Sequence, residues 1–410
     1  MVETTAVRPY PVQQRATGCP FDPPPVLGEL RRDQPISRVR IWDGSEPWLV
    51  TRYDDIRAVL SHPAASHDSD NPGYPNQSAA IAARRSRAKT FFQMDGPAHD
   101  EPRRMLARDF TAKRMLALRG RIQDLVDGLI DDMLAGPKPV DLVQAFALPV
   151  PTTIICELLG VPHAEHGRVH RLTEVFVAKS ATPEQTTAAA EEMLGLFGDL
   201  VEVKASAPSD DLLSRLAVEQ FATGLMTREE VSRMGLLLVT AGHESTASMI
   251  ALGTAALLAN PEQLAKIRET DDPALVASTV EEMLRYLTIV HNGLRRVATE
   301  DMEIGGRRIA KGEGIIVAID AGNRDAEAFP GEGDLGVDSV DITRAARHHL
   351  AFGFGVHQCL GQQLARVELQ VVYGTLFKRI PTLRLAQPLD EIKYKSDMAI
   401  YGAHELLVTW

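Results

Sequence analysis

The sequence predicts a mainly α-helical fold with small β-sheets in one large domain, and three features of the chain carry that expectation. Apolar residues recur three and four positions apart over 116–134, 152–159, 191–203, 273–286 and 360–379, the period of helices with one buried face. Strand-like runs are few and short. Between the proline-rich start and the carboxyl end there is no internal repeat, low-complexity tract or Gly/Ser linker, so 1–26 reads as an N-terminal segment and 27–410 as a single domain.

The strand signals come in pairs around turn residues. Segments 38–42 and 48–53 flank Asp43-Gly44-Ser45, segments 302–304 and 314–319 flank Gly305-Gly306, and Arg384 with 407–410 suggests a third small pairing. The longest helix is expected after Met226, where Thr227 and Glu230 form a capping-box pattern and Asn260-Pro261 supplies a stop. Some thirty residues lie between, roughly 45 to 50 Å of helix, enough to cross the whole domain. It is apolar on nearly every face from Met234 to Ala259, which marks a buried helix. His243, Glu244, Ser245 and Thr246 at its middle would be costly in lipid, so a central helix of a globular protein is the better account. Gly242 in mid-helix suggests that something approaches the backbone there.

Composition narrows the function classes. The chain has 410 residues, and 44 Lys+Arg against 55 Asp+Glu give a net charge of −11, which argues against a nucleic-acid partner. Three cysteines cannot form a disulfide framework or supply the four thiolates of an iron–sulfur cluster, and they fit a reducing compartment. Segment 1–26 carries Glu3 and six prolines but no apolar core of signal-peptide length. A cytoplasmic protein without a membrane anchor is expected.

One cysteine stands out. The loop from Phe352 to Gly361 places Cys359 behind a glycine-rich stretch and before the helix signalled by Leu360, Leu364, Val367 and Val371. A cysteine at a helix amino terminus faces unpaired amides and the positive end of the dipole, which favours the metal-ligating thiolate. The alternative, a buried free cysteine, is the expected fate of Cys19 and Cys156.

Phe352, Gly355, Cys359 and Gly361 match the Phe-x-x-Gly-x-x-x-Cys-x-Gly haem loop of the cytochrome P450 family. Glu282 and Arg285 stand in its Glu-x-x-Arg pattern, His99 and Arg103 in a His-x-x-x-Arg pattern, and Ala241-Gly242-His243-Glu244 in its central-helix oxygen motif. The chain therefore resembles that family in its bacterial, actinomycete type. The resemblance implies a single-domain cytochrome P450 fold with haem b between the long central helix and the cysteine-loop helix. Cys359 would be the axial thiolate. His99, Arg103, Arg296 and His357 would hold the haem propionates, and Ala241, Phe352, Gly353 and Gly361 would lie against the macrocycle. Pro102 departs from the usual residue and could distort the helix that carries His99 and Arg103.

By the same resemblance Glu244 and Ser245 form the acid–alcohol pair that feeds protons to oxygen, Gly242 leaves room for it, and Thr246 is secondary. Ser245 stands where threonine is usual; alternatively, Ser245 and Thr246 merely bond back to helix carbonyls. Glu282 and Arg285 would tie their helix to the loop preceding the cysteine. The substrate pocket would be lined by Leu238, Ala241, Ile289, Val290, His291, Asn292, Leu294 and Met398 to Tyr401, including Ile400, beneath an irregular covering loop at 66–92. His291 and Asn292 could bond a substrate or satisfy backbone groups.

The implied activity is monooxygenation: one atom of O2 enters an apolar small molecule, typically by hydroxylation. By the resemblance the haem domain takes up the chain, so electrons would come from NAD(P)H through a ferredoxin reductase and a ferredoxin. Arg103, Arg104, Arg108, Lys113, Arg114, Arg344, Arg347 and Arg366 would offer the ferredoxin a basic face, or simply be solvated. The competing readings are a haem-thiolate nitric oxide reductase and a non-catalytic haem sensor.

Overall fold

The computed structural model describes residues 7–11, 19–79, 89–177, 181–331, 335–396 and 398–410. Its strands in chain order are β1 Arg8–Pro9, β2 Ile36–Arg40, β3 Trp48–Val50, β4 Ala65–Ser66, β5 Val140–Asp141, β6 Leu294–Ala298, β7 Met302–Ile304, β8 Arg307–Ile309, β9 Gly314–Val317, β10 Arg384–Leu385 and β11 Leu407–Thr409. They form a six-stranded sheet in the order β1-β2-β3-β9-β6-β4, a three-stranded sheet β10-β11-β5 and the hairpin β7-β8. The rest of the ordered chain is mostly helix, as its periodicity predicts.

The central helix runs from Arg228 to Leu258 and is capped as expected: the Thr227 hydroxyl accepts from the Glu230 amide, while the Glu230 carboxylate accepts from the Thr227 amide at 2.8 Å. Helices Pro149–Leu159, Pro183–Ser206, Pro273–Leu287 and Gln362–Arg379 pack around it. Their shared core joins Ile250, Leu252 and Leu257 to Leu196, Phe197, Val280, Val371 and Phe377. A second core, with Ile36, Val50, Ile56, Ile315, Val317 and Phe329, lies at the large sheet. Among the described residues no helix is long and apolar enough to cross a membrane.

Protein packing by itself does not demand glycine at Gly242. A Cβ there would meet Ile155 at 3.6 Å, an ordinary contact. At Gly253 it would lie 1.9 Å from the hydroxyl of Tyr373, which reaches across from helix Gln362–Arg379 to donate to the Met249 carbonyl at 2.6 Å. At Gly253 the Tyr373 side chain thus takes the space that a side chain would need.

Several boundaries differ from expectation. The partner of Met302–Ile304 across Gly305-Gly306 is Arg307–Ile309, because both glycines adopt positive φ and close the turn at once. Gly314–Val317 instead joins β6 and β3 in the large sheet. Segment 116–134 divides into helices Ala112–Ala117 and Arg119–Ala135. A boundary at 26/27 would cut helix Pro25–Asp33, and the described part of 1–26 joins the fold through β1, paired with β2, and the buried Phe21. Helix Pro97–Ala107 continues through Pro102. Residues 80–88 of the expected covering loop lie outside the described residues.

Gly253→Ala should destabilise the protein by about 1–3 kcal/mol, because the added methyl displaces the Tyr373 hydroxyl. Denaturant unfolding would measure it; unchanged stability would show that the two helices separate easily.

Candidate active site

The cysteine loop is a tight backbone structure. Gly353 and Gly355 have φ of +69° and +75°, and a Cβ on Gly355 would lie 2.4 Å from the Leu60 carbonyl, so both conformation and space require glycine there. The Cys359 amide closes the loop by donating to the Phe352 carbonyl at 2.8 Å. Helix Gln362–Arg379 begins three residues after the cysteine, and the amides of Gly361 and Gln362 point at the sulfur. Cys359 is surrounded by protein yet keeps accessible surface of its own. Burial pushes its thiol up, while those two amides and the guanidinium groups of Arg103 and Arg366 favour the thiolate. Arg366 is held at Glu281, which accepts from it at 2.7 Å and pairs with His349 at 3.1 Å. Those partners overcome burial and bring Glu281 down to about 2.

Beside this loop lies a cluster of imidazoles and guanidinium groups. The rings of His99 and His357 are 4.1 Å apart between centroids. His99 Nδ1 meets Asp100 at 2.8 Å and His357 Nε2 meets Asp95 at 3.2 Å, whereas His99 Nε2 and His357 Nδ1 are buried without a hydrogen-bond partner. Arg296 is 3% exposed, donates to the Arg295 carbonyl at 2.7 Å, and has no carboxylate in ion-pair contact among the described residues. Arg103 donates to the Gln358 carbonyl at 2.5 Å, so its protein partner is the backbone beside the cysteine.

The middle of the central helix presents a stripe of accessible side chains. Leu237, Ala241 and Ser245, four apart, keep accessible surface, Ala241 most openly, while His243, Glu244 and 246–257 are buried. The Ser245 hydroxyl donates to the Ala241 carbonyl at 2.8 Å, so it bonds back to its own helix. Glu244 points to Lys395, with 2.5 Å between Nζ and Oε1, and accepts from Ser248 at 3.5 Å.

The cytochrome P450 family model matches residues 202–390. The chain is 50% identical to cytochrome P450 GfsF of Streptomyces halstedii, over 97% of this chain and 95% of that protein. The crystal structure of GfsF superposes with a TM-score of 0.93, covering 98% of this chain and all of the other. The chain belongs to the cytochrome P450 family. It is also 49% identical to cytochrome P450-SU2 of Streptomyces griseolus, over 99% of this chain and all of that protein. The mycinamicin VIII C21 methyl hydroxylase MycCI of Micromonospora griseorubida, solved bound to mycinamicin VIII, is 35% identical, with TM-score 0.89 and coverage of 98% and 100%.

Members of this family are monooxygenases that bind haem b through a cysteine thiolate, and the residues described above suit that group. Among the described residues no cluster of three His, Cys, Asp or Glu could hold a metal ion. The unpartnered nitrogens of His99 and His357 and the buried Arg296 suit carboxylates of the kind haem carries.

The expected lock on the preceding loop is present in this cytochrome P450. Glu282 and Arg285, both fully buried, form a two-point pair at 2.7 and 2.8 Å. Arg285 also donates to the carbonyls of Asn323, Val337 and Ser339, and Glu282 accepts from the Asp341 amide at 2.9 Å. Arg344 joins them at 3.4 Å and donates to Pro330 and Gly336 carbonyls, which removes it from the expected basic face. Arg366 is likewise engaged by Glu281, and Arg108 and Arg114 pair with Glu219 and Asp109.

Leu238 and Ile289 are buried; Val290, His291, Asn292, Leu294 and Ile400 are partly exposed. The polar pair in this group meets backbone: His291 Nε2 lies 2.7 Å from the Met398 carbonyl and Asn292 Nδ2 donates to it at 3.3 Å. The Tyr401 amide donates to Ile289 at 2.8 Å, so the two expected pocket segments are joined. A cleft of about 780 Å³ lies elsewhere, lined by Ala112, Leu116, Glu281, Arg347, Gln363 and Arg366 among others.

Sequence patterns missed Glu368. Nine residues beyond Cys359, it is buried against the Thr246 hydroxyl, and burial pushes its carboxyl up to about 8 despite that bond. A charged residue on an amphipathic helix reads as surface from sequence; only the packing of helix Gln362–Arg379 on the central helix buries it.

With its carboxyl raised in the folded state, Glu368 makes stability fall as pH rises from the ordinary carboxyl range through about 8. Glu368→Gln should flatten the decline of the thermal midpoint between about pH 5 and 8; an unchanged slope would place the titration elsewhere. Glu282→Ala strands Arg285 in the core and should cost about 3–5 kcal/mol. The variant should accumulate with little haem, which normal haem incorporation would contradict.

Proposed function

We propose that Cys359 is the axial ligand of haem b and that the protein inserts one atom of O2 into an apolar small molecule, most simply as R–H + O2 + 2 electrons + 2 protons giving R–OH + H2O. Cys359 carries this reading: it keeps accessible surface, and its sulfur is faced by the Gly361 and Gln362 amides and flanked by Arg103 and Arg366. Haem bound through that thiolate supplies oxygen binding and O–O cleavage. His99, Arg103, His357 and Arg296 would hold its propionates, with Arg103 also bracing the loop at Gln358. Phe352, Gly353 and Gly361 would lie along the cysteine side of the macrocycle and Ala241 along the other.

Glu244, Ser245 and Thr246 would manage protons. Ser245 already donates to Ala241, and its rotamers are freer than those of threonine. An acid beside an alcohol favours oxygen insertion over nitric oxide reduction or passive sensing. MycCI, a relative named as a methyl hydroxylase, supports hydroxylation as the outcome. Leu238, Ala241, Ile289, Val290, Leu294 and Ile400 would supply the apolar wall of the pocket, and His291 and Asn292 would shape it through Met398 rather than by spare donors.

Electrons would come from NAD(P)H through a ferredoxin reductase and a ferredoxin in the cytoplasm. The ferredoxin would dock by the 780 Å³ cleft, where exposed Arg347 and Lys113 stand near Leu116, 55% exposed, and Arg104 lies close in sequence.

Supplied with ferredoxin, its reductase and NADPH under labelled O2, the haem-loaded protein should place one labelled oxygen atom in a converted substrate. Unlabelled product, or haem reduction without oxygen transfer to any member of a broad apolar library, would contradict the reading. Arg347→Glu with Lys113→Glu should slow haem reduction at least tenfold at low salt, with the difference shrinking as salt rises; equal rates at every salt concentration would move the docking face.

A further inference from the structure

Behind the imidazole pair beside the cysteine loop stands one carboxylate that connects several segments of the chain. Asp95 lies two residues before helix Pro97–Ala107, which carries His99, and its Oδ1 is 3.2 Å from His357 Nε2 in the turn Gly355–His357. The same side chain accepts from the Ser66 hydroxyl and, at 3.2 Å each, from the amides of His67 and Asp68. Ser66 ends β4, whose partner in the large sheet is β6, with Ser66 opposite Val297 and next to Arg296. These neighbours are themselves fixed: Asn71 donates to the Ser66 hydroxyl at 2.8 Å, and Lys89 pairs with Asp68 and, at 2.8 Å, with Asp70.

Burial pushes the Asp95 carboxyl up, yet the bonds from His357, Ser66 and the His67 amide bring it well below the usual carboxylate range. An ionised carboxylate only accepts, so His357 Nε2 donates to it. That bond decides which ring nitrogen is left over: Nδ1, buried without a hydrogen-bond partner, points away from Asp95. The ring is also packed in place, with His99 at 4.1 Å on one side and His67 and Phe92 edge to face at 4.9 and 6.3 Å between centroids. His99 divides its nitrogens in the same way, but its partner Asp100 is its own chain neighbour and 52% exposed, whereas Asp95 reaches His357 across 262 residues of sequence.

We infer that Asp95 is a positioning residue for haem retention: by holding His357 Nε2 it aims the other ring nitrogen at a haem carboxylate. The inference rests on the haem reading proposed above, in which His357 is one of the residues that hold the propionates, and it adds the group that orients that histidine. Asp95 acts through His357 and not by contact of its own, because each of its oxygens already accepts two hydrogen bonds from the protein: Oδ1 from His357 and the His67 amide, Oδ2 from Ser66 and the Asp68 amide. A carboxylate on the outer nitrogen of an imidazole is the arrangement that fixes ring orientation for whatever the inner nitrogen binds.

The test measures haem loss, by transfer from the full-length, haem-loaded protein to excess apomyoglobin, in the wild type, Asp95→Ala, His357→Phe and the double variant. Asp95→Ala should lose haem about tenfold faster than the wild type, the usual order for removing a partner that orients a ligating side chain. In the His357→Phe background the same substitution should change the rate by less than about twofold, because its route to haem is already gone. Loading with haem dimethyl ester, whose carboxylates are capped, should likewise erase the difference between wild type and Asp95→Ala. Equal factors in both backgrounds would overturn the inference, as would a difference that persists with the ester, since either makes Asp95 a general structural residue. Should Asp95→Ala accumulate poorly, Asp95→Ser takes its place with the same expected outcomes. A sulfur-type carbon monoxide spectrum in the wild type assigns such a failure to Asp95 alone; its absence would overturn the haem reading and the inference with it.

Discussion

In the role proposed for it, one sulfur has to favour its ionised form inside the protein, against the cost of burying charge, and much of the surrounding structure bears on that requirement. Burial alone pushes the Cys359 thiol up. Opposing it are the two amides at the start of helix Gln362–Arg379 and two guanidinium groups from different parts of the chain. Each is fixed by something further out: the loop by Gly353, Gly355 and the Phe352 carbonyl, Arg103 by Gln358, and Arg366 by Glu281 and the face of Phe352, 4.7 Å away. The stabilisation of one atom is therefore distributed over four segments that meet only in the folded state.

The same economy of paired charge recurs in the segment that precedes the loop. Glu282, Arg285 and Arg344 are buried together, and their remaining donors and acceptors reach backbone from Asn323 to Asp341. An irregular segment of this length has few internal ladders to satisfy its carbonyls, and guanidinium groups with five donors each do so from within. Such a network stabilises little relative to an apolar core but penalises alternative arrangements of the segment, since any shift leaves a buried charge unpaired. That suits a scaffold whose task is to place a loop.

Much of this was legible in the chain itself, and the exceptions have physical reasons. The helical period, the capping box at Thr227 and the glycine-rich cysteine loop are local signals, and the corresponding elements lie where those signals put them. The hairpin at Gly305-Gly306 was misjudged because the choice between Arg307–Ile309 and Gly314–Val317 as partner depends on turn length, and two positive-φ glycines close the shorter loop. Gly253 gave no local signal, because the protein contact that excludes a side chain there is set by Tyr373 over one hundred residues away. Arg344 and Arg366 read as solvated cations until Glu282 and Glu281 are brought against them. Lys395 and Glu368 carried no motif at all; their proximity to the oxygen-site tract is a product of long-range packing.

The measurement that bears most directly on the central claim is the absorbance of the reduced, carbon monoxide-bound protein, taken on the wild type and on Cys359→His, each loaded with haem. Ligation by the Cys359 sulfur predicts a strongly red-shifted band in the wild type and its replacement by an imidazole-type band in the variant, with haem retained. A red-shifted band that survives in Cys359→His, or an imidazole-type band in a fully folded wild type, would contradict it.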